Sequence, residues 1–282
     1  MASSSPDPVP GGLPVLAFIG GGNMASAVIG GLLRQGLPAS QVEVVEPFEP
    51  ARGRLRQQFG IQALEAAGPA LARAGLVVWA VKPQTFRDAA AQARPHLGAA
   101  LHLSVAAGIR TDSMGAWLGS ERIVRAMPNT PALVGQGMTG LFARPGVSAA
   151  DRALVERVIA TTGESLWVDG EQQLDAVTAL SGSGPAYVFL FLEAMAQAGA
   201  EMGLPREQAL RLAIGTFAGA SSLARDAQEP PEVLRERVTS KGGTTYAAIT
   251  SLQQDGVPAQ FVKALHAARR RAAELGDEFG AA

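Results

Sequence analysis

The 282-residue chain is long enough for one large or two ordinary domains, and with 47% hydrophobic against 17% charged residues it is globular rather than disordered. A net charge of −1, with no basic block beyond Arg269-Arg270-Arg271 on a solvated helix face, excludes a nucleic-acid surface. Cysteine is absent, which excludes disulfides, thiol chemistry and cysteine metal ligands without fixing a compartment.

Residues 1–12 read as a Ser/Pro/Gly-rich mobile tail with no positive charge ahead of an apolar run, hence not a signal peptide. From Val15 to Val168, short aliphatic runs alternate with Ala-rich helical stretches. The runs are Val15–Ile19, Val42–Val45, Leu76–Ala80, Leu101–Val105 and Ile123–Ala126. They are largely apolar, and runs apolar on both faces suit strands of a parallel sheet covered by helices. Gly22–Gln35, Arg52–Phe59, Pro83–Arg94 and Ala149–Thr162 are the expected crossover helices. Met138–Ala143 and Ser165–Val168 read as later strands, antiparallel in sense. The expected fold is α/β: a doubly wound, mostly parallel, Rossmann-like sheet domain over 13–168, followed by an all-helical domain over 169–282. In that second part the helices fall at Gln172–Leu180, Pro185–Met202, Arg206–Arg225, Pro231–Val238, Thr245–Gln254 and Pro258–Leu275, four of them with Pro at or near the start. The most apolar run, Ala186–Leu192, stops at Glu193 and is far too short to cross a bilayer, so a cytoplasmic protein with no membrane partner is expected.

Gly20-Gly21-Gly22-Asn23-Met24-Ala25 directly follows the first strand and opens the first helix. It fits G-x-G-x-x-A: Gly20 makes the turn, Gly22 leaves room for a pyrophosphate and Ala25 permits close helix–strand packing. Glu46 ends the second strand about twenty residues further on, where a carboxylate accepts the ribose hydroxyls and repels a 2′-phosphate. Arg52, Arg54 and Arg56 lie just beyond and favour that phosphate, so both NADH and NADPH stay open. Strand C-termini in such sheets face the ligand. Ala106-Ala107-Gly108 ends one of them with small residues that let a flat ring lie close, and Asn129 in Met127–Pro131 stands near the same crevice.

In the second part, Thr239-Ser240-Lys241-Gly242-Gly243-Thr244-Thr245 looks built for a carboxylate. Adjacent glycines let backbone approach a ligand, and a helix opening at Gly243 or Thr244 points unpaired N–H groups at an anion. The same residues also make an ordinary capped helix start. Ser181–Tyr187 reads as another helix start, with Ser183 as cap and glycines for close helix packing. Tyr187 and Phe189 read as core residues.

The stretch Pro231–Gln253 resembles the signature segment of pyrroline-5-carboxylate reductases. Phe18–Ala25, Ala80–Gln84, Val124–Pro131 and Thr178–Phe189 resemble the same family, in its order and spacing, between about Leu13 and Leu275. The resemblance implies an oxidoreductase that reduces Δ1-pyrroline-5-carboxylate to L-proline by hydride transfer from NADPH or NADH, the last step of proline biosynthesis. It implies cofactor contacts at Gly20, Gly22, Asn23, Met24, Ala25, Glu46, Val81, Lys82, Pro83, Ala106, Ala107 and Gly108. It implies that Ser240, Gly243, Thr244 and Thr245 hold the substrate carboxylate, that the Thr245 hydroxyl faces the ring nitrogen as the catalytic group, and that Glu171 and Thr178 stand at the substrate's edge. Members often carry a small hydroxyl residue near the position of Glu46, and this departure puts NADPH preference in doubt.

The side chains that carbonyl chemistry needs are scarce. His96, His102 and His266 fall in no catalytic pattern. His102 reads as a satisfied core residue inside a strand, and no metal-ligand cluster is visible. Of three lysines, none falls in the Leu180–Gln208 stretch where a 3-hydroxyacid dehydrogenase would place its own. A protonated cyclic imine explains the gap, because C=N⁺ takes hydride with no oxyanion to stabilise. Alternatives are reduction of another cyclic imine or a small 2-oxo acid, or a non-catalytic nicotinamide-nucleotide sensor. Finally, Pro185–Met202 and Arg206–Arg225 are apolar around much of their circumference and must be buried. About 110 residues are too few to surround them. A homodimer or a multiple of dimers is therefore expected, as the resemblance also implies.

Overall fold

The computed structural model of the chain describes residues 12–280, so the expected tail lies almost wholly outside the described residues. The chain forms two compact units: residues up to Gly182 together with those from Arg269 onward, and Ser183–Ala268.

The first unit is built on one seven-stranded sheet. Its elements run β1 (Leu16–Ile19), α1 (Asn23–Arg34), β2 (Val42–Val45), α2 (Glu49–Phe59), β3 (Leu76–Trp79), α3 (Pro83–Ala93), β4 (Leu101–Ser104), α4 (Thr111–Leu118), β5 (Ile123–Met127), β6 (Gly137–Ala143), α5 (Ala149–Ile159), β7 (Gly163–Trp167) and α6 (Gln173–Val177). The strand order is β2-β1-β3-β4-β5-β6-β7. The first five strands are parallel; β6 pairs antiparallel with β5, and β7 then runs parallel to β6. Strands β1, β3 and β4 are buried on both faces; β1 and β3 are accordingly wholly apolar, while β4 carries His102 and Ser104 buried beside its leucines. Alternate residues serve separate cores. Leu16 and Phe18 pack with Val28, Ile29 and Leu55 on one face, while Ala17 and Ile19 pack with Trp79, Phe86 and Ile109 on the other. Edge strand β7 alternates exposed and half-buried residues.

Three local departures from the sequence reading have physical causes. Helix α4 was not expected, because Thr-Asp-Ser-Met-Gly-Ala-Trp-Leu is short and poor in helix formers; its left-handed Gly119 stop was its one legible signal. Helix α5 stops at Ile159 rather than Thr162 because the hydroxyls of Thr161 and Thr162 turn back onto the carbonyls of Val158 and Ile159. The helix expected over 172–180 is α-helical only to Val177. It then widens into a π turn over Thr178–Gly182, where Thr178 and Ser181 hydroxyls donate to the carbonyls of Leu174 and Val177.

The second unit is helical: α7 (Gly184–Glu201), α8 (Arg206–Asp226), α9 (Pro231–Arg237), α10 (Thr244–Gln254) and the first half of α11 (Val257–Gly280). Helices α7 and α8 cross closely where Gly199 faces Ala209, a Cβ on Gly199 falling 2.5 Å from that of Ala209. Ser183 sits at the N-cap of α7, but its hydroxyl makes no cap bond, so it does not act as the expected cap. Tyr187 meets Phe261 edge-on. Phe189, expected in a core, is 57% exposed.

Candidate functional site

Strand order reverses between β1 and β3, so a crevice opens at the C-terminal ends of these strands, the place where such sheets bind ligands. Gly20 turns there with φ +96, and a Cβ on it would lie 2.6 Å from the Ala80 carbonyl oxygen, so the turn passes β3 only because the residue is glycine. A Cβ on Gly21 would lie 2.7 Å from Leu55. Gly22 differs: it is exposed and extended, and a Cβ on it would meet nothing within 4 Å. The chain's own packing demands the first two glycines and not the third. The space the third keeps open lies outside the protein, beside the N-terminus of α1. Gly22 also caps α1 with no side-chain bond, which leaves the first-turn N–H groups of Asn23, Met24 and Ala25 without ladder partners. Ala25 is buried against the sheet, as close packing requires.

Glu46 has a second task that sequence reasoning missed. Its Oε2 accepts the Gly21 N–H at 2.7 Å and its Oε1 accepts that of Phe48 at 2.8 Å. The carboxylate thus braces the glycine turn, and its remaining lone pairs stay available to a ribose. Of the three arginines beyond it, Arg54 and Arg56 are exposed on α2, while Arg52 donates to the carbonyls of Glu46 and Pro47 at 3.0 and 2.6 Å. Val81, Lys82 and Pro83 follow β3 at the same edge, with exposed Lys82 as the N-cap of α3 and Pro83 at its first position. Ala106, Ala107 and Gly108 follow β4 there. Of these Ala107 alone is exposed.

Asn129 has a structural task. Its Oδ1 accepts the Met138 N–H at 2.9 Å and its Nδ2 donates to the Ser181 carbonyl at 3.1 Å, which ties the loop after β5 to β6 and to the π turn. His102 is the core residue expected: Trp79 Nε1 donates to its Nδ1 at 3.3 Å. Burial first, and the nearby Arg122 charge second, push its pKa down to about 4, so the ring is neutral.

Glu171 and Thr178 also lie in the first unit. Both carboxylate oxygens of Glu171 are engaged by the protein, with Thr111 and Arg125. The Thr178 hydroxyl donates to Leu174. One residue that the sequence reading passed over is Asp175, whose buried carboxyl is held above its ordinary pKa by burial, against the lowering effect of Arg125 and Arg110.

The remaining expected residues lie in the second unit. Helix α9 ends at Arg237, and Gly242 turns the chain with φ +76. The Gly243 N–H donates to the Ser240 carbonyl at 3.0 Å, and a Cβ on Gly243 would lie 2.6 Å from Ser240 Oγ. Glycine therefore lets the Ser240 hydroxyl rest against the start of α10. Gly243 is the N-cap, with no side-chain bond, so the first-turn N–H groups of Thr244 and Thr245 lack ladder partners. Thr244 is exposed and Thr245 half-buried. The result is a hydroxyl and a positive helix end on one exposed turn, which suits a carboxylate.

The pyrroline-5-carboxylate reductase of Pseudomonas aeruginosa is 46% identical to this chain over 269 residues, covering 95% of this chain and 98% of its own. The chain belongs to the pyrroline-5-carboxylate reductase family. Residues 171–275 match the pyrroline-5-carboxylate reductase dimerisation domain, and residues 15–108 match the coenzyme F420-dependent NADP oxidoreductase domain. The solved reductase of Coxiella burnetii shares 37% identity with this family member at a TM-score of 0.88, covering 94% of this chain and 99% of its own. The reductase of Plasmodium falciparum, solved with NADP bound, shares 28% identity at a TM-score of 0.82, covering 93% and 98%. Among the described residues no helix is long and apolar enough to cross a membrane.

Proposed function

We propose that this chain reduces Δ1-pyrroline-5-carboxylate to L-proline with NADPH or NADH. The observation that carries the proposal is the uncapped start of α10 behind Gly242 and Gly243, with Ser240 Oγ against it, in a chain whose other unit keeps an open turn at Gly22. Bound cofactor supplies the hydride, which goes to the imine carbon of the ring. Gly20, Gly22, Asn23, Met24 and Ala25 hold its pyrophosphate, Glu46 its ribose, and Val81–Pro83 with Ala106–Gly108 its nicotinamide half. Ser240 and the N–H groups of Thr244 and Thr245 hold the substrate carboxylate, which orients the ring. The Thr245 hydroxyl accepts a hydrogen bond from the protonated imine nitrogen and donates one once that nitrogen becomes an amine. No strong acid is required, because the substrate brings its own proton. In this assignment residues 13–168 bind cofactor, and residues 169–282 bind substrate and dimerise.

Assembly as a homodimer, or a multiple of dimers, belongs to the proposal. In the single chain Phe189, Leu190 and Leu212 are 57%, 62% and 61% exposed, an apolar surface that monomers rarely present to water. Light scattering that finds an active monomer at low micromolar concentration, on the order of 1 μM, overturns this part.

The decisive assay is oxidation of NADPH or NADH on adding pyrroline-5-carboxylate. Absence of turnover in protein shown to bind cofactor overturns the proposal. Thr245→Val, which keeps the shape and removes the hydroxyl, lowers kcat/KM by roughly ten- to a thousandfold for one lost polar contact at the reacting atoms. Wild-type kinetics in that variant removes Thr245 from the chemistry.

A further inference from the structure

The loop between β4 and α4 is held at nearly every residue. The Val105 N–H donates to the Trp79 carbonyl at 3.0 Å and the Ala106 N–H to Ser104 Oγ at 3.3 Å. Gly108 takes φ +73, and the Phe279 ring lies 2.9 Å from where its Cβ would stand. Ile109 is fully buried, and Arg110 Nη2 donates to the Ala273 carbonyl and to Asp277. At its far end Thr111 donates twice to Glu171, from its N–H to Oε1 at 2.8 Å and from its hydroxyl to Oε2 at 2.6 Å. Arg125 completes the set, donating to Oε1 at 2.9 Å from a side chain only 3% exposed. A cation so deeply buried needs its counter-charge, and Glu171, 13% exposed, is fixed by that need. What the fixed carboxylate holds in turn is the start of α4. The one exposed residue of the bracketed stretch is Ala107, at the cofactor edge of the sheet.

We infer that Glu171 is a positioning residue: through Thr111 it sets the height of the Ala106–Gly108 shelf against which the flat nicotinamide ring rests, and it does not bind substrate. The inference rests on the function proposed above. A hydride donor misplaced by even ~1 Å loses rate steeply, so a shelf built from small residues works only if its ends cannot drift. The Arg110–Asp277 pair, with an exposed carboxylate, is too weakly held to supply that rigidity alone. The buried Glu171–Arg125 pair supplies it.

The test uses the full-length protein. Wild type is assayed first with NADPH and pyrroline-5-carboxylate; an inactive wild type counts against the proposed function and leaves cofactor binding as the readout for the shelf. Thr111→Val removes only the hydroxyl donor and keeps the Glu171–Arg125 pair, so the fold survives. It raises the KM and the Kd for NADPH roughly three- to thirtyfold, the range for one charge-assisted hydrogen bond felt in part at the ligand. It leaves the KM for pyrroline-5-carboxylate, at saturating cofactor, within about twofold of wild type, as expected where the lost group touches no substrate. Thr111→Ser restores the hydroxyl and returns the cofactor constants toward wild type. Wild-type cofactor constants in Thr111→Val overturn the inference. So does a change confined to the KM for pyrroline-5-carboxylate in Glu171→Gln, which would make Glu171 a substrate ligand. Should Glu171→Gln fail to fold, Thr111→Val decides the matter alone.

Discussion

Replacing Gly22 by Ser separates what the glycine turn does for the fold from what it does for the cofactor. Gly22 is extended at φ −74 and ψ −168, a conformation any residue adopts, and a new Cβ there meets nothing within 4 Å. It is also the N-cap of α1, a position where Ser is at least as favourable as Gly, by a few tenths of a kcal/mol. The unfolding free energy therefore stays within about 0.5 kcal/mol of wild type, or rises slightly. The cofactor loses on two counts: the Cβ and hydroxyl occupy the approach of the pyrophosphate, and the hydroxyl takes a first-turn N–H of Met24 or Ala25 for itself. Losing one or two charge-assisted hydrogen bonds costs about 2–4 kcal/mol, which at roughly 1.4 kcal/mol per decade raises the Kd some thirty- to several-hundredfold. Titration of NADPH binding beside a urea melt reads both quantities. Gly20→Ala is the contrast, since φ +96 and a contact of 2.6 Å with the Ala80 oxygen strain the folded state itself by about 2 kcal/mol or more. An unchanged Kd for Gly22→Ser in folded protein refutes the assignment of the turn, as does a loss of stability in it that matches Gly20→Ala.

Glu46→Ser removes repulsion of a 2′-phosphate and shifts the ratio of kcat/KM toward NADPH over NADH; because it also strips the acceptor from the Gly21 N–H, it costs about 1–2 kcal/mol of stability. Kinetics with both cofactors and a denaturant melt check the two effects, and a shift toward NADH contradicts the reading of Glu46. For His102, the folded pKa of about 4 lies below the ordinary 6.5, so the unfolded chain takes up the proton first as pH falls. The stability from keeping this ring neutral is fully present above pH 6.5, falls between 6.5 and about 4 by up to about 3 kcal/mol, and is gone below. Unfolding free energies of wild type and His102→Gln from urea melts, followed against pH, diverge across that window by up to this amount; parallel pH dependences show that the ring does not titrate on unfolding.

The elements whose burial is uniform and whose ends carry glycine or proline are legible in the sequence alone. Strands β1 and β3 are apolar on both faces because helices cover both, and that pattern is legible without any partner in view. The turn at Gly20–Ala25 and the loop at Gly242–Gly243 were equally legible, since close backbone approach needs glycine whatever packs nearby. Helix α4 and the π turn at Thr178–Gly182 were not, because local hydroxyl bonds and tertiary anchoring outweigh weak helix propensity there. The partners of polar side chains were likewise decided only in three dimensions. Asn129, Glu46 and Glu171 each read as a ligand contact, and each bonds to backbone or side chains far along the chain. Periodicity records which face of an element leaves water; it carries no record of which distant donor meets a carboxylate once that face is buried. For Phe189 and Leu190 the sequence demanded burial that the single chain does not provide, because a hydrophobic pattern states that water must be excluded and not which surface excludes it.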